Sequence, residues 1–278
     1  MRMRSLITLL GIAALAAVAS PAAAYTIVEF PLPVANSGVQ GIAAGPDGNL
    51  WFTETQGSRV GRITPSGEIT DWSTGSGIST GAAPSGITAG PDGNLWFTEF
   101  SAHRIARITT TTAVATELPV LPGSPNPAEI VTGPDGNLWF SEYGDNAIGR
   151  VTPAGAVKTS PPGIPAGAGP LGITAGPDGN LWFAERNGHR IGRITPQGVV
   201  TEFAAGISAN SAPFSIVAGG DGNLWFTEYQ GNRIGRITPA GVVTEFASGL
   251  TAASSPVGIM SGPDGNGWFA EPDGQKLG

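Results

Sequence analysis

The chain has 278 residues, a formal net charge of −7, 43 glycines, 24 prolines and no cysteine. The acidic balance argues against a polyanion partner such as nucleic acid, and the missing cysteine excludes disulfides, thiolate metal sites and thiol nucleophiles. Glycine and proline at this level would mean disorder in an unpatterned chain, but they recur here at fixed positions and therefore act as turn chemistry.

Residues 1–24 have the pattern of an export signal. Arg2 and Arg4 give a positive start, Leu6 to Val18 an apolar stretch, and Ala22-Ala23-Ala24 a small-residue cleavage site before Tyr25. The apolar run falls short of the roughly 20 residues that span a bilayer, so cleavage is expected, with no membrane insertion afterwards. The expectation is an exported monomer, periplasmic or extracellular. From Tyr25 to Gly278 no linker or composition break interrupts the chain, which argues for a single domain.

Within that domain Gly-Pro-Asp-Gly-Asn-Leu-Trp-Phe returns six times, nearly unchanged. Its aspartates are Asp47, Asp92, Asp135, Asp178, Asp221 and Asp264, spaced by 45 residues once and then by 43. A period of this length with four short strand-like runs per unit marks a β-propeller, an all-β fold of four-stranded blades. The fourth repeat shows the plan. Leu171 to Ala175 reads as an inner strand, Pro177-Asp178-Gly179-Asn180 as a turn and Leu181 to Glu185 as the second strand. Arg190 to Thr195 then reads as the third strand and Val199 to Phe203 as the outer one. Small residues near the axis and aromatic ones outside suit a wedge, so Trp51, Trp96, Trp139, Trp182, Trp225 and Trp268 are expected in the seams between blades.

Thr26-Ile27-Val28-Glu29-Phe30 resembles the outer strand Val242 to Phe246, so it is expected to complete the last blade and close the ring. The last repeat stops at Lys276-Leu277-Gly278 where the others continue. Six blades is the expectation, or seven if the chain lacks a C-terminal piece.

Each second strand ends in glutamate: Glu54, Glu99, Glu142, Glu185, Glu228 and Glu271. By position these should ring one face around the axial funnel. Five are followed, five residues on, by Arg59, Arg104, Arg190, Arg233 and Lys276, a spacing that suits blade-locking ion pairs. Glu142 lacks that partner, because Ala147 stands there and Asp145 lies close, so it is a candidate for a divalent ion or simply a solvated loop acid. The neighbouring loop positions vary by blade, and variation on a fixed frame is where a propeller stores specificity. Phe100, Tyr143, Arg186 and Tyr229 are the candidates there for a ring-bearing or amide-rich ligand, beside ordinary loop drift. The two histidines, His103 and His189, share one slot with Ser58, Asn232 and Gln275, which reads as an exposed polar slot and not as a catalytic pair.

Gly86 to Glu99, Asn232 to Pro239 and Val243 to Phe246 together resemble the repeat of the streptogramin B lyase family, and the resemblance covers nearly the whole of residues 25–278. It implies a seven-bladed propeller whose enzymatic members open cyclic depsipeptide antibiotics by Mg²⁺-assisted elimination at the ester linkage. It also implies histidines in a Pro-His-(Ala/Gly)-Ile context in two late blades. The matching stretches are Pro213-Phe214-Ser215-Ile216 and Pro256-Val257-Gly258-Ile259, so Phe214 and Val257 stand at those places and Ser255 replaces an expected acid. Glu271 survives as a late-blade glutamate and, with Glu142, is the candidate metal ligand; Phe214 joins the candidate ligand-binding set. With Gln40, Ser85, Ala128 and Leu171 in the same slot elsewhere, that ring offers no base. Three functions remain open on the sequence: a small-molecule or peptide binding module, a Mg-dependent lyase of the family type, and a cell-envelope structural module or fragment of a longer propeller.

Overall fold

The computed structural model describes residues 28–159, 163–262 and 264–278, so the export signal expected at 1–24 lies outside the described residues. The chain divides into two compact units, one ending at Pro31 and one spanning Leu32–Gly278. Of the strand expected at Thr26–Phe30, Thr26 and Ile27 fall outside the described residues and Val28–Phe30 carry no strand. No helix among the described residues is long and apolar enough to cross a membrane.

The second unit holds six antiparallel sheets, each laid down from its inner to its outer strand in chain order. Five have four strands. In the fourth these are Pro170–Ala175, Leu181–Glu185, Arg190–Ile194 and Val200–Phe203, within a residue of the sequence expectation. The sixth has three, Ile259–Ser261, Gly267–Glu271 and Lys276–Leu277. Inner strands of successive sheets pack on one another, which gives a six-bladed propeller. The seven blades implied by the resemblance are therefore not what the described residues form.

The repeated octapeptide builds one compact device. Gly179 closes the turn at φ 74°, where glycine meets no Cβ penalty. The Asp178 carboxylate then accepts from the Asn180 N–H at 3.2 Å and from the Trp182 indole N–H at 3.0 Å. A Cβ on Gly176 would lie 2.4 Å from that indole, so the first glycine of the motif makes room for the ring. Burial alone would raise the Asp178 carboxyl, but the bonds from Asn180 and Trp182 outweigh it and hold the group below the usual carboxylate range. The same indole-to-aspartate bond recurs in the other five blades.

In the first four blades the tryptophan so fixed is buried in the seam to the next blade, whereas Trp225 is half-buried and Trp268 exposed. Trp182 is fully buried and clusters with Leu224, Phe226 and Ile237 of the fifth blade, against Ile207 and Val243. A second tie crosses the seam nearer the axis. Thr227 Oγ1 accepts from the Ser215 N–H of its own blade at 3.1 Å and donates to the Val257 carbonyl of the next at 2.6 Å. Thr53, Thr98 and Ser141 do the same in blades one to three, while Ala184 leaves this hydroxyl out of the fourth. The hydroxyls sit where each inner strand shifts register, so they supply both partners that the bulged backbone needs.

Candidate functional site

The loops that follow the second strands share one face of the propeller with the first residues of the inner strands, because Pro213 pairs with Glu228 and Pro170 with Glu185 across the ladder. On that face three of the five residues expected to bind ligand come together. Phe214 and Tyr229 lie with ring centroids 6.0 Å apart, tilted by 38°. The Arg186 guanidinium of the preceding blade covers both rings, 5.8 Å from the first and 5.5 Å from the second. Each such contact contributes about 0.5–1 kcal/mol at an exposed site. Tyr143 adjoins them through Asn187, whose side-chain amide donates to the Tyr143 hydroxyl at 3.2 Å. Phe100 lies two blades before Arg186 and is placed with none of them; its carbonyl accepts from the Asn126 side chain at 3.2 Å.

The glutamates do not form an exposed ring. Glu54, Glu99, Glu185 and Glu228 have no solvent exposure, and Glu142 and Glu271 only 2% and 4%. They are roofed by their own loops: a Cβ on Gly188 would meet Glu185 Oε2 at 2.7 Å, and one on Gly231 would meet Glu228 Oε2 at 2.6 Å. The sequence placed them correctly in order along the blades but not in depth, since a strand end says nothing about what covers it.

Their partners also differ from the simple pairing by five residues. Glu54 lies 3.6 Å from Arg59, Glu185 3.5 Å from Arg190 and Glu228 3.8 Å from Arg233. Arg104, however, pairs with Glu117 of the outer strand, and Arg190 reaches Glu202 at 2.8 Å. Lys276 donates to the Thr251 hydroxyl at 2.9 Å. The outer-strand acids are held from the loop before the blade, where Ser208 donates through its N–H at 2.5 Å and its hydroxyl at 2.6 Å to Glu245. Ser79 grips Glu117 in the same way.

The result is a carboxyl pair in the second, fourth and fifth blades. Burial, followed by the charge of Glu117, pushes Glu99 up to about 8. In the fifth blade burial and Glu245 push Glu228 up to about 8, and burial with Glu202 raises Glu185. Glu117 and Glu245 go the other way, because the serine bonds outweigh their burial. Neither oxygen of Glu99 or Glu228 has a hydrogen-bond donor among the described residues, in keeping with burial favouring the protonated form of each. Sequence reasoning missed the outer acids, although their recurrence in Val-Thr-Glu-Phe was visible.

The metal candidates do not converge. Glu142 and Glu271 end second strands in the third and sixth blades, with two blades between them. Burial pushes Glu142 up to about 7, and its carboxyl accepts from the Thr159 hydroxyl at 3.1 Å. Asp145 is engaged by the Ser124 N–H at 3.1 Å. Among the described residues no group of three or more His, Cys, Asp or Glu side chains is placed to hold a metal ion. The two carboxylates expected to share a divalent ion, Glu142 and Glu271, are therefore not brought together.

The histidines, expected in an exposed polar slot, are half-buried, and each spends a ring nitrogen on the backbone of the next blade. His189 Nδ1 accepts from the Ala212 N–H at 3.1 Å and His103 Nδ1 from the Asn126 N–H at 3.3 Å. Asn146 and Asn232 use Oδ1 for the same purpose toward Gly169 and Ser254. Phe214 and Val257 open inner strands or lead into them, on the face that carries the Arg186 cluster, and both are half-buried. A further acid that the sequence did not flag is Glu129, which replaces the glycine of that inner-strand position; surrounding protein pushes its carboxyl up to about 7. A separate cleft lies elsewhere. It measures about 770 Å³, runs between the fifth and sixth blades past Trp225, Phe246, Leu250 and Phe269, and opens where the other five blades carry a fourth strand.

Sheet order, the six indole anchors and the seam contacts define an antiparallel β-propeller with its variable side chains gathered on one face. A family model described as the virginiamycin B lyase family matches residues 15–125 and 77–278, and the chain belongs to that family. A crystal structure of virginiamycin B lyase from Staphylococcus aureus superposes with a TM-score of 0.83 and 40% identity, covering 91% of this chain and 83% of that one. A catalytically inactive histidine-to-alanine variant of that enzyme with quinupristin superposes equally well, at 39% identity. A streptogramin B lyase structure gives a TM-score of 0.68 and 33% identity, over 90% of this chain and 95% of that one. The virginiamycin B lyase of Bordetella pertussis is 41% identical over 44 residues, a match spanning 16% of this chain and only 15% of the relative's length.

Proposed function

We propose that this chain is an exported, ligand-binding member of the virginiamycin B lyase family that does not open streptogramins by the family route. The observation that carries the reading is the mouth cluster. Phe214 stands where the resemblance calls for a histidine, and its ring, packed on Tyr229 beneath Arg186, has no nitrogen to take a proton. An elimination needs a base within reach of the proton to be removed, and phenylalanine and valine have none. Aromatic rings and a guanidinium on a rigid frame are, by contrast, what a small-molecule or peptide site uses. Export rests on the pattern of residues 1–24.

The competing reading is an active Mg-dependent lyase acting on cyclic depsipeptide antibiotics, favoured by 40% identity to the Staphylococcus aureus enzyme over most of the chain. A structural role in the cell envelope draws on no particular side chain. The test is incubation of the purified protein with a type B streptogramin, with and without EDTA, followed by mass spectrometry. Recovery of the intact ring supports the binding reading. Metal-dependent linearisation overturns it.

A further inference from the structure

The Arg186 cluster borders a cavity of about 310 Å³ lined by Arg186, Asn187, His189, Ala212 and Gln230, none of them acidic. The arginines that open third strands, Arg59, Arg104, Arg190 and Arg233, are each in an ion pair; Arg62 and Arg236 lie over two rings as Arg186 does, but those rings belong to their own blade. Arg186 has no carboxylate within ion-pair distance among the described residues; its neighbours are two aromatic faces. Stacking occupies the plane of a guanidinium but leaves its edge N–H groups, which are the atoms that grip a carboxylate in bidentate fashion.

The other lining groups also donate. His189 spends Nδ1 as an acceptor for the Ala212 N–H, so the remaining nitrogen, Nε2, carries the hydrogen. Asn187 and Gln230 add side-chain amides. The molecule as a whole is acidic, which would repel an anion at long range. Exposed charges beyond about 8 Å are largely screened at physiological salt, so the local arginine decides.

From these observations we propose that the cavity binds a small carboxylic acid, with the carboxylate on the free edge of Arg186. This assignment rests on the binding reading above and narrows it to one ligand chemistry.

Isothermal titration of the full chain with N-acetylphenylalanine and with its neutral primary amide tests it. The acid is expected to bind at least tenfold more tightly than the amide. Arg186→Gln should abolish that preference, and His189→Asn should weaken the acid severalfold while keeping the backbone acceptor that Asn146 and Asn232 provide in their blades. Thermal melts of both variants check that the fold persists. Equal affinity for acid and amide, no binding of either, or an acid preference untouched by Arg186→Gln would overturn the proposal. Binding of both compounds irrespective of Arg186 leaves the binding reading standing and removes only the anion, whereas a streptogramin opened by the same preparation removes the binding reading itself.

Discussion

The fourth and sixth blades start from almost the same octapeptide and end in different physical states. Trp182 is fully buried, whereas Trp268, held by the same aspartate bond, is 47% exposed. What differs is the neighbour. Trp182 has the fifth blade against it and Phe203 of its own outer strand stacked at 5.2 Å. Trp268 has neither contact among the described residues, and Met260 and Leu277 beside it are exposed as well. The first blade presents Ile42 and Leu50 to solvent in the same way. In a repeat protein the motif therefore supplies half of an interface, and burial depends on the adjacent unit.

That contrast can be broken or sharpened by experiment, and pH should give the largest effect. Glu99 and Glu228 have carboxyls raised to about 8 in the folded chain against about 4.5 when unfolded. Protons are thus held more tightly by the folded form, and stability is greatest below about pH 4.5 for these groups and is lost as pH rises through about 8. Melting followed by circular dichroism should show the midpoint falling steadily from pH 5 to pH 9. Glu228→Gln, which keeps the hydrogen to donate, should flatten the slope; an unchanged slope would mean that the carboxyl pair is not protonated.

Next comes the seam itself. Trp182→Ala should cost about 3–5 kcal/mol by removing a buried aromatic residue, whereas Trp268→Ala, already half in solvent, should cost under about 1 kcal/mol. Urea unfolding monitored at constant m-value would separate the two. Similar losses at both positions would mean that the sixth blade is covered in solution.

The seam hydroxyls give the smallest changes. Thr227→Val removes a bond to each of two backbone groups and should cost about 1–3 kcal/mol. Ala184→Ser, which installs the missing hydroxyl between Gly172 and Phe214, should add about 0.5–1.5 kcal/mol in the same assay. A loss on Ala184→Ser would show that the fourth seam is packed too tightly to accept oxygen.

Much of the fold was legible because the period carried it. Strand order, the turn at Asp178 and the seam role of the tryptophans follow from spacing, turn residues and bulk, all of which are local properties. The site was legible only in part. That Arg186, Tyr229 and Phe214 differ from their counterparts in other blades is a matter of reading the repeats side by side, but their contact is not. Phe214 is 28 residues from Arg186 in sequence, and only the packing of adjacent inner strands brings its ring under that guanidinium. Phe100 varies just as freely and meets none of them. The same limit explains the glutamates, whose order around the propeller was readable while their depth was not.

The amino-acid sequence by itself determined the blade: a 43-residue period, glycines where φ must be positive, and an aspartate four residues before each indole to hold it. Only the tertiary structure decided which acids are pushed towards protonation, that Arg186 stacks on two rings of the next blade and which tryptophan is dry. Those outcomes depend on groups on other strands and in neighbouring blades, through desolvation and charge at close range, and no local pattern encodes them.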